Sequence, residues 1–170
     1  MKLGNKAVQR LQQFLIKENQ KSIGGEIDKF IFDDDFDDIH LRVEIEDFDR
    51  FSFQIGKLEL KNTAKFKVVK LTADGLKKRA EDLAAKVTYL LENLALVELD
   101  SVNLLAQIRS VSPYEEIDLL TYYEIIIDSQ GSIRFGRFQQ HPSQPRLQIP
   151  FKLTEDVFER LIDDFAEAVS

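Results

Sequence analysis

The hydrophobic period of this chain switches between about 3.6 and 2 residues, and each switch marks an element boundary. Residues 6–20 place Val8, Leu11, Phe14 and Leu15 on one helical face, which predicts a leading amphipathic helix. Gly24-Gly25 would end it. Residues 26–32 read as a short strand. In LRVEIE, Leu41, Val43 and Ile45 alternate with polar residues, and in RFSFQI Phe51, Phe53 and Ile55 do the same. This is a half-buried hairpin with Asp47-Phe48-Asp49-Arg50 at its bend. Residues 57–61 continue it, and 65–70 read as a further strand. From Thr72 the longer period returns: Leu76, Ala80, Leu83, Val87, Leu90 and Leu94 predict the longest helix, its stripe widened by Tyr89 and Leu91. That width favours packing on a sheet over a coiled-coil seam. Strands follow at 96–99 and 103–111, stopped by Pro113. Residues 120–128 and 132–138 form a second hairpin across Asp128-Ser129-Gln130-Gly131. QQHPSQP reads as a loop, 146–152 as a strand, and a last helix starts at Thr154.

Two stretches resemble each other at an offset of 82 residues: KLTADGLKKRAEDLA from Lys70 and KLTEDVFERLIDDFA from Lys152. A Thr N-cap preceded by a Leu that staples onto the helix explains part of the likeness. The same offset also lays Val43, Ile45, Phe51 and Phe53 on Ile125, Ile127, Ile133 and Phe135, which capping does not explain. The expectation is an internal duplication of hairpin, strand and helix. Its halves, about 1–95 and 76–170, share the middle helix within one folding unit, 1–170. The fold class is then α+β: antiparallel sheet or sheets of about seven to nine strands, pseudo-symmetric, with three helices covering one face.

With 44% hydrophobic residues and 13 Phe, the chain has the material for a sizeable core. It contains no Cys, which removes thiolate catalysis, Cys-based zinc sites and disulfides. MKLGNKAVQRLQQFLIKENQ lacks the apolar centre of a signal peptide, and no apolar run approaches a membrane span. A net charge of −7 disfavours nucleic acid and anionic membranes as general partners. A cytoplasmic protein is expected. Charge is uneven: residues 26–50 hold eleven Asp or Glu, whereas 57–70 hold Lys57, Lys61, Lys65, Lys67 and Lys70 against Glu59.

The strongest candidate chemistry is FDDDFDDIH, residues 32–40. Asp33, Asp35 and Asp37 have the D-x-D-x-D spacing of a calcium loop, and Glu44 falls where its bidentate ligand belongs. Calcium or magnesium is the cofactor this pattern would take. The sixth position, which needs Gly, is Asp38, the eighth is His40, and the flanks are strands, so a charged turn between strands is the expectation. An acidic docking patch is a third reading. His40 beside these aspartates would make a pH-sensitive contact, and His141 sits in a loop. RFGRFQQHPSQPR interleaves Arg134, Arg137 and Arg146 with Phe135 and Phe138, a pattern that serves single-stranded nucleic acid. Parity puts Phe135 in the core and Arg134 outside, which favours an ordinary charged strand. Phosphate-loop, dinucleotide and nucleophile-elbow motifs do not occur.

The closing stretch IPFKLTEDVFERLIDDFAEA, with the leading helix, strand meander and central helix, resembles the small acidic chaperones of type III secretion in size, acidity and element order. That resemblance implies a non-catalytic dimer holding a client segment against its sheet and helices. The functional expectation is a non-enzymatic, chaperone- or adaptor-like protein with a protein partner and a homodimer through sheet edges or the middle helix. Metal or small-ligand binding at the aspartates is the alternative, and an enzyme with acids gathered only in space comes third.

Overall fold

Alternation of apolar and polar residues over 39–48 and 119–128 turns one side of each strand inward, and the sheet follows from it. The computed structural model describes residues 2–21, 29–64 and 71–170. Among these are three helices: α1 (Leu3–Lys21), α2 (Ala73–Lys86) and α3 (Glu155–Val169). The described residues also form ten strands: β1 (Phe30–Phe36), β2 (Ile39–Phe48), β3 (Ser52–Asn62), β4 (Leu94–Asp100), β5 (Leu105–Ser110), β6 (Tyr114–Glu116), β7 (Leu119–Asp128), β8 (Ser132–Gln140), β9 (Leu147–Ile149) and β10 (Phe151–Thr154). All pairings are antiparallel, in the order β1-β2-β3-β8-β7-β5-β4, with β6 added to β7, β9 to β8 and β10 to β3. The protein is therefore an α+β fold with one antiparallel sheet. Two strands go beyond the expected set: Pro150, which lacks an N–H, breaks the expected 146–152 strand into β9 and β10, and β6 forms where Pro113 was expected to end pairing. The expected helix end at Gly24-Gly25, residues 26–28 of the first strand, the strand over 65–70, and Lys65, Lys67 and Lys70 lie outside the described residues.

The helices share one face of the sheet, where Leu41, Val43, Ile45, Leu58, Leu60, Ile125, Ile127, Ile133 and Phe135 are buried in a single cluster with all three. α3 is central. Its Phe158 meets Phe53 edge-on at 5.4 Å, and Phe165 meets Phe135 at 5.6 Å. Such aromatic pairs contribute about 0.5–1.5 kcal/mol beyond their burial. Both later helices start as the sequence indicates. Thr72 Oγ1 accepts from the Gly75 N–H at 3.2 Å, and Thr154 Oγ1 accepts from the Val157 N–H at 3.4 Å.

α2 departs from expectation in length. It stops at Lys86, well short of Leu94, and the longest helix is α1 with 19 residues. Val87 leaves helical geometry (φ −81°, ψ 75°) while its N–H still reaches the Leu83 carbonyl. Val87-Thr88-Tyr89 stacks two β-branched residues and an aromatic, each a weak helix former. The spacing still ends on core-packed residues, Leu90 partly buried and Leu94 buried, because the chain passes over the same core before β4 begins with Leu94. Tyr89 and Leu91 do not widen a helical stripe. The Tyr89 hydroxyl donates to Asp164 Oδ2 at 2.6 Å, and Leu91 is 83% exposed. Burial and that hydrogen bond to a carboxylate push the phenol's pKa up.

The hairpins do not follow the 82-residue offset. Ile127 pairs with Ile133 and Ile125 with Phe135, so a copy would pair Ile45 with Phe51 and Val43 with Phe53. Instead Ile45 pairs with Ile55 and Val43 with Leu58. Phe51 sits in the turn and is 67% exposed, not core. The turn is Asp49-Arg50-Phe51, fastened by Asp49, which accepts from the Phe51 N–H, Ser52 Oγ and Lys152 Nζ at 2.7–2.8 Å. The helix entries match and the strand registers do not, so a duplication is not confirmed.

α1 lies on α3 at close range. A Cβ at Gly4 would overlap the Glu159 carbonyl, and the Gly4 N–H donates to Asp163 Oδ1 at 2.9 Å. Gly4→Ala should therefore cost about 1–3 kcal/mol of stability in urea unfolding, the range of overpacked sites. Amide hydrogen exchange should then rise first along α1.

Candidate functional site

With the helices on one side, the other face of the sheet carries the polar half of each alternation. Across β1, β2, β3 and β8, Asp33, Arg42, Glu59 and Arg134 stand side by side, alternating in charge. Arg42 donates to Asp33 Oδ2 at 2.8 Å, and Lys57 lies 2.6 Å from Glu59. Lys57 holds the Glu59 carboxyl below its ordinary pKa, against the opposing effect of burial. Exposed pairs like these contribute about 0–1 kcal/mol each, but the pattern keeps like charges from facing each other across strands.

The sequence-predicted metal ligands are spread over this scaffold. Asp33 and Asp35 lie in β1, on the uncovered face. His40 sits between them, with Nδ1 2.8 Å from Asp35 Oδ1 and Nε2 3.3 Å from Asp33 Oδ1. Asp37 occupies the tight β1–β2 turn at φ 53°, 3.8 Å from Lys6 Nζ. Asp34 turns the other way and meets Arg10 of α1 at 2.9 Å. Glu44 is paired with Ile31 and Lys57, not with an aspartate. Among the described residues no group of three or more His, Asp or Glu is placed to hold a metal ion. Instead Asp33 meets Arg42 and His40, Asp34 meets Arg10, Asp35 meets His40 and Asp37 meets Lys6.

The arginines of RFGRFQQHPSQPR also part company. Arg137 is buried and forms a two-pronged pair with Glu92 at 3.0 and 2.8 Å, lying 4.1 Å over the Tyr123 ring. Arg146 crosses the open face to Glu124, and Arg134 stays exposed. Phe135 is in the core, as parity requires. Phe138 is on the uncovered face opposite Tyr122, stacked at 6.1 Å.

The residue that organises this face is Glu124, one charge inside TYYEIII and only 3% exposed. Its Oε2 accepts from Gln107 Nε2 at 2.8 Å, Arg109 Nε at 2.8 Å and Arg146 Nη1 at 2.7 Å. Arg109 lies 4.9 Å over the Tyr122 ring and Arg146 4.2 Å over Phe138. Burial alone would raise the Glu124 pKa; the hydrogen bonds from Arg146 and Arg109 overturn that and hold it below the ordinary carboxylate range. The same contacts raise Arg146. The sequence carried a signal for Glu124, a lone acid in an apolar strand, but none for its partners, which come from β5 and the β8–β9 connection.

Beside this network the face is grooved. A cavity of about 490 Å³ is lined by Lys57, Arg134 and Arg146 toward one wall, Glu98 and Asp100 toward the other, and Ile126 on its floor. At one end of the groove β3 changes partners. Gly56 is bulged out of the β2–β3 register, β3 pairs with β8 on one side of it and with β10 on the other, and the strands part. Gln148 spans the parting by donating to the Gly56 carbonyl at 2.9 Å, passing so close to Gly136 that a Cβ there would lie 2.7 Å from its amide nitrogen. No protein-family model, curated protein or solved structure matches the chain.

Glu124→Gln should lower stability at pH 7 by about 1–3 kcal/mol, since two arginines lose their counter-charge while keeping partial exposure to water. A carboxylate with a depressed folded pKa stabilises fully above its unfolded value, near 4.3, and loses that contribution as pH falls through the lower folded value. The gap between wild type and Glu124→Gln should therefore close below about pH 4, read by urea unfolding across pH. At the β1–β2 turn, the separate ion pairs predict that millimolar calcium leaves the melting temperature unchanged.

Proposed function

We propose that this is a cytoplasmic, non-enzymatic interaction protein that holds a segment of a partner protein against the uncovered face of its sheet. The observation that supports this best is the groove: open, about 490 Å³, with Ile126 between one side carrying Arg134 and Lys57 and another carrying Glu98 and Asp100. Its one deeply buried carboxylate, Glu124, is committed to Gln107, Arg109 and Arg146 and so favours a scaffolding role over that of a free acid or base. β1 and β4 end the sheet on either side, and strand edges are a recurring way to add an extended partner segment. The absence of Cys from the chain, and of a helix long and apolar enough to cross a membrane among the described residues, fits the proposed location. The reading keeps the client-holding mode that the resemblance to type III secretion chaperones implies.

A photo-crosslinking residue at Ile126, introduced in cells of the source organism, should join the protein to a partner polypeptide. The same residue at Lys77, on the exposed side of α2, should not. Ile126→Arg should abolish association with that partner while moving the melting temperature by no more than a few degrees. A crosslinker at position 126 that captures no polypeptide refutes the reading.

A further inference from the structure

Resting on that reading of the face, we infer that the bound segment is an extended peptide with an acidic residue, an apolar residue two positions on, and a basic residue two further on, in either direction. One cross-strand row carries the argument. Arg134 on β8 pairs with Ile126 on β7, Ile126 with Gln107 on β5, and Gln107 with Glu98 on β4. Residues paired in this way point to the same face. The row therefore presents a cation, an apolar side chain, an amide and a carboxylate in line, and all four line the groove.

Arg134 and Glu98 are both exposed, and among the described residues neither makes a hydrogen bond or ion pair. The other arginines of this face are consumed internally, Arg42 by Asp33 and Arg109 and Arg146 by Glu124. Arg134 has Glu59 as its cross-strand neighbour, but Glu59 forms its ion pair with Lys57, so Arg134 and Glu98 both keep charge without an ion pair of their own, and of opposite sign. Three strand spacings separate them, roughly 14 Å. An extended peptide rises about 3.3 Å per residue, so its residues i and i+4 lie about 13 Å apart and share one face with residue i+2. An acid at one end reaches Arg134, a base at the other reaches Glu98, and the residue between them sits over Ile126. Opposite charges at the two ends also disfavour segments with a single sign of charge.

The test uses blocked, fluorescein-labelled nonapeptides built on Glu-Ser-Leu-Ser-Lys, with Glu-Ser-Leu-Ser-Glu, Lys-Ser-Leu-Ser-Lys and Glu-Ser-Ser-Ser-Lys as comparisons, read by fluorescence anisotropy on the full chain. The mixed peptide with Leu should bind about tenfold more tightly than each of the others. Arg134→Glu should move the preference to the doubly basic peptide and Glu98→Lys to the doubly acidic one. Arg134→Ala should erase discrimination at that end, and each variant should still melt cooperatively within a few degrees of wild type, with Arg134→Glu lowest because it faces Glu59. Equal affinity for the four peptides, or variants that leave the rank order as it was, overturns the inference. So does a partner captured at position 126 whose attached segment lacks the pattern; that outcome leaves the docking face itself standing.

Discussion

A ten-stranded sheet with all its helices on one side has to stabilise its second face without a second layer. Apolar side chains cannot do this, because a broad apolar face left open would recruit other chains. The protein solves the problem in two ways. Over β1, β2, β3 and β8 it alternates charges from strand to strand, so every residue of the row faces an opposite neighbour. Over β5, β7 and β8 it uses aromatic rings capped by arginines that are themselves pinned to Glu124. The boundary between the two regimes is where β3 and β8 part at Gly56, and the groove runs from beside it across β8, β7 and β5 to β4.

This division explains what could be read in the chain and what could not. Local alternation is enough to assign Leu41, Val43, Ile45, Ile125 and Ile127 to the core, and the Thr72 and Thr154 caps mark both helix entries. These signals live within a few residues of sequence. The end of α2 was harder to see, because Leu90 and Leu94 keep helical spacing while packing from a loop and a strand. Apolar periodicity records which residues are buried, not the backbone that buries them. Hairpin register was equally hidden. A bulge at Gly56 and the irregularity at Glu46 shift the β2–β3 pairing, so that Phe51 lies in the turn although its spacing from Phe53 is that of a strand neighbour.

The candidate site was the least legible part. The aspartates drew attention because charge density is visible in sequence, yet density near a turn says nothing about convergence. Asp33 and Asp35 share a face, Asp34 points to α1, and Asp37 tips the turn. Glu124 attracts little notice, a single acid among tyrosines and isoleucines, and its three donors lie 17, 15 and 22 residues away along the chain. A buried charge is informative because of what it must find, and those partners are fixed by strand order.

The choice of an ionic network over an apolar one at Glu124 carries its own logic. Replacing a buried ion pair with well-packed apolar groups is often neutral or stabilising, so stability alone does not account for Glu124. Stripped of their arginines, Tyr122 and Phe138 would present stacked rings on the open face, beside the floor formed by Ile126. Arg109 and Arg146 cover the rings with charge, and a single carboxylate oxygen sets the position of both. Arg146 also ties the β8–β9 connection down over the sheet, next to Gln148 where the strands part. The network therefore fixes the shape of one groove wall and keeps the surrounding surface polar. It leaves Ile126 as the apolar floor, flanked along its row by the unpaired charges Arg134 and Glu98.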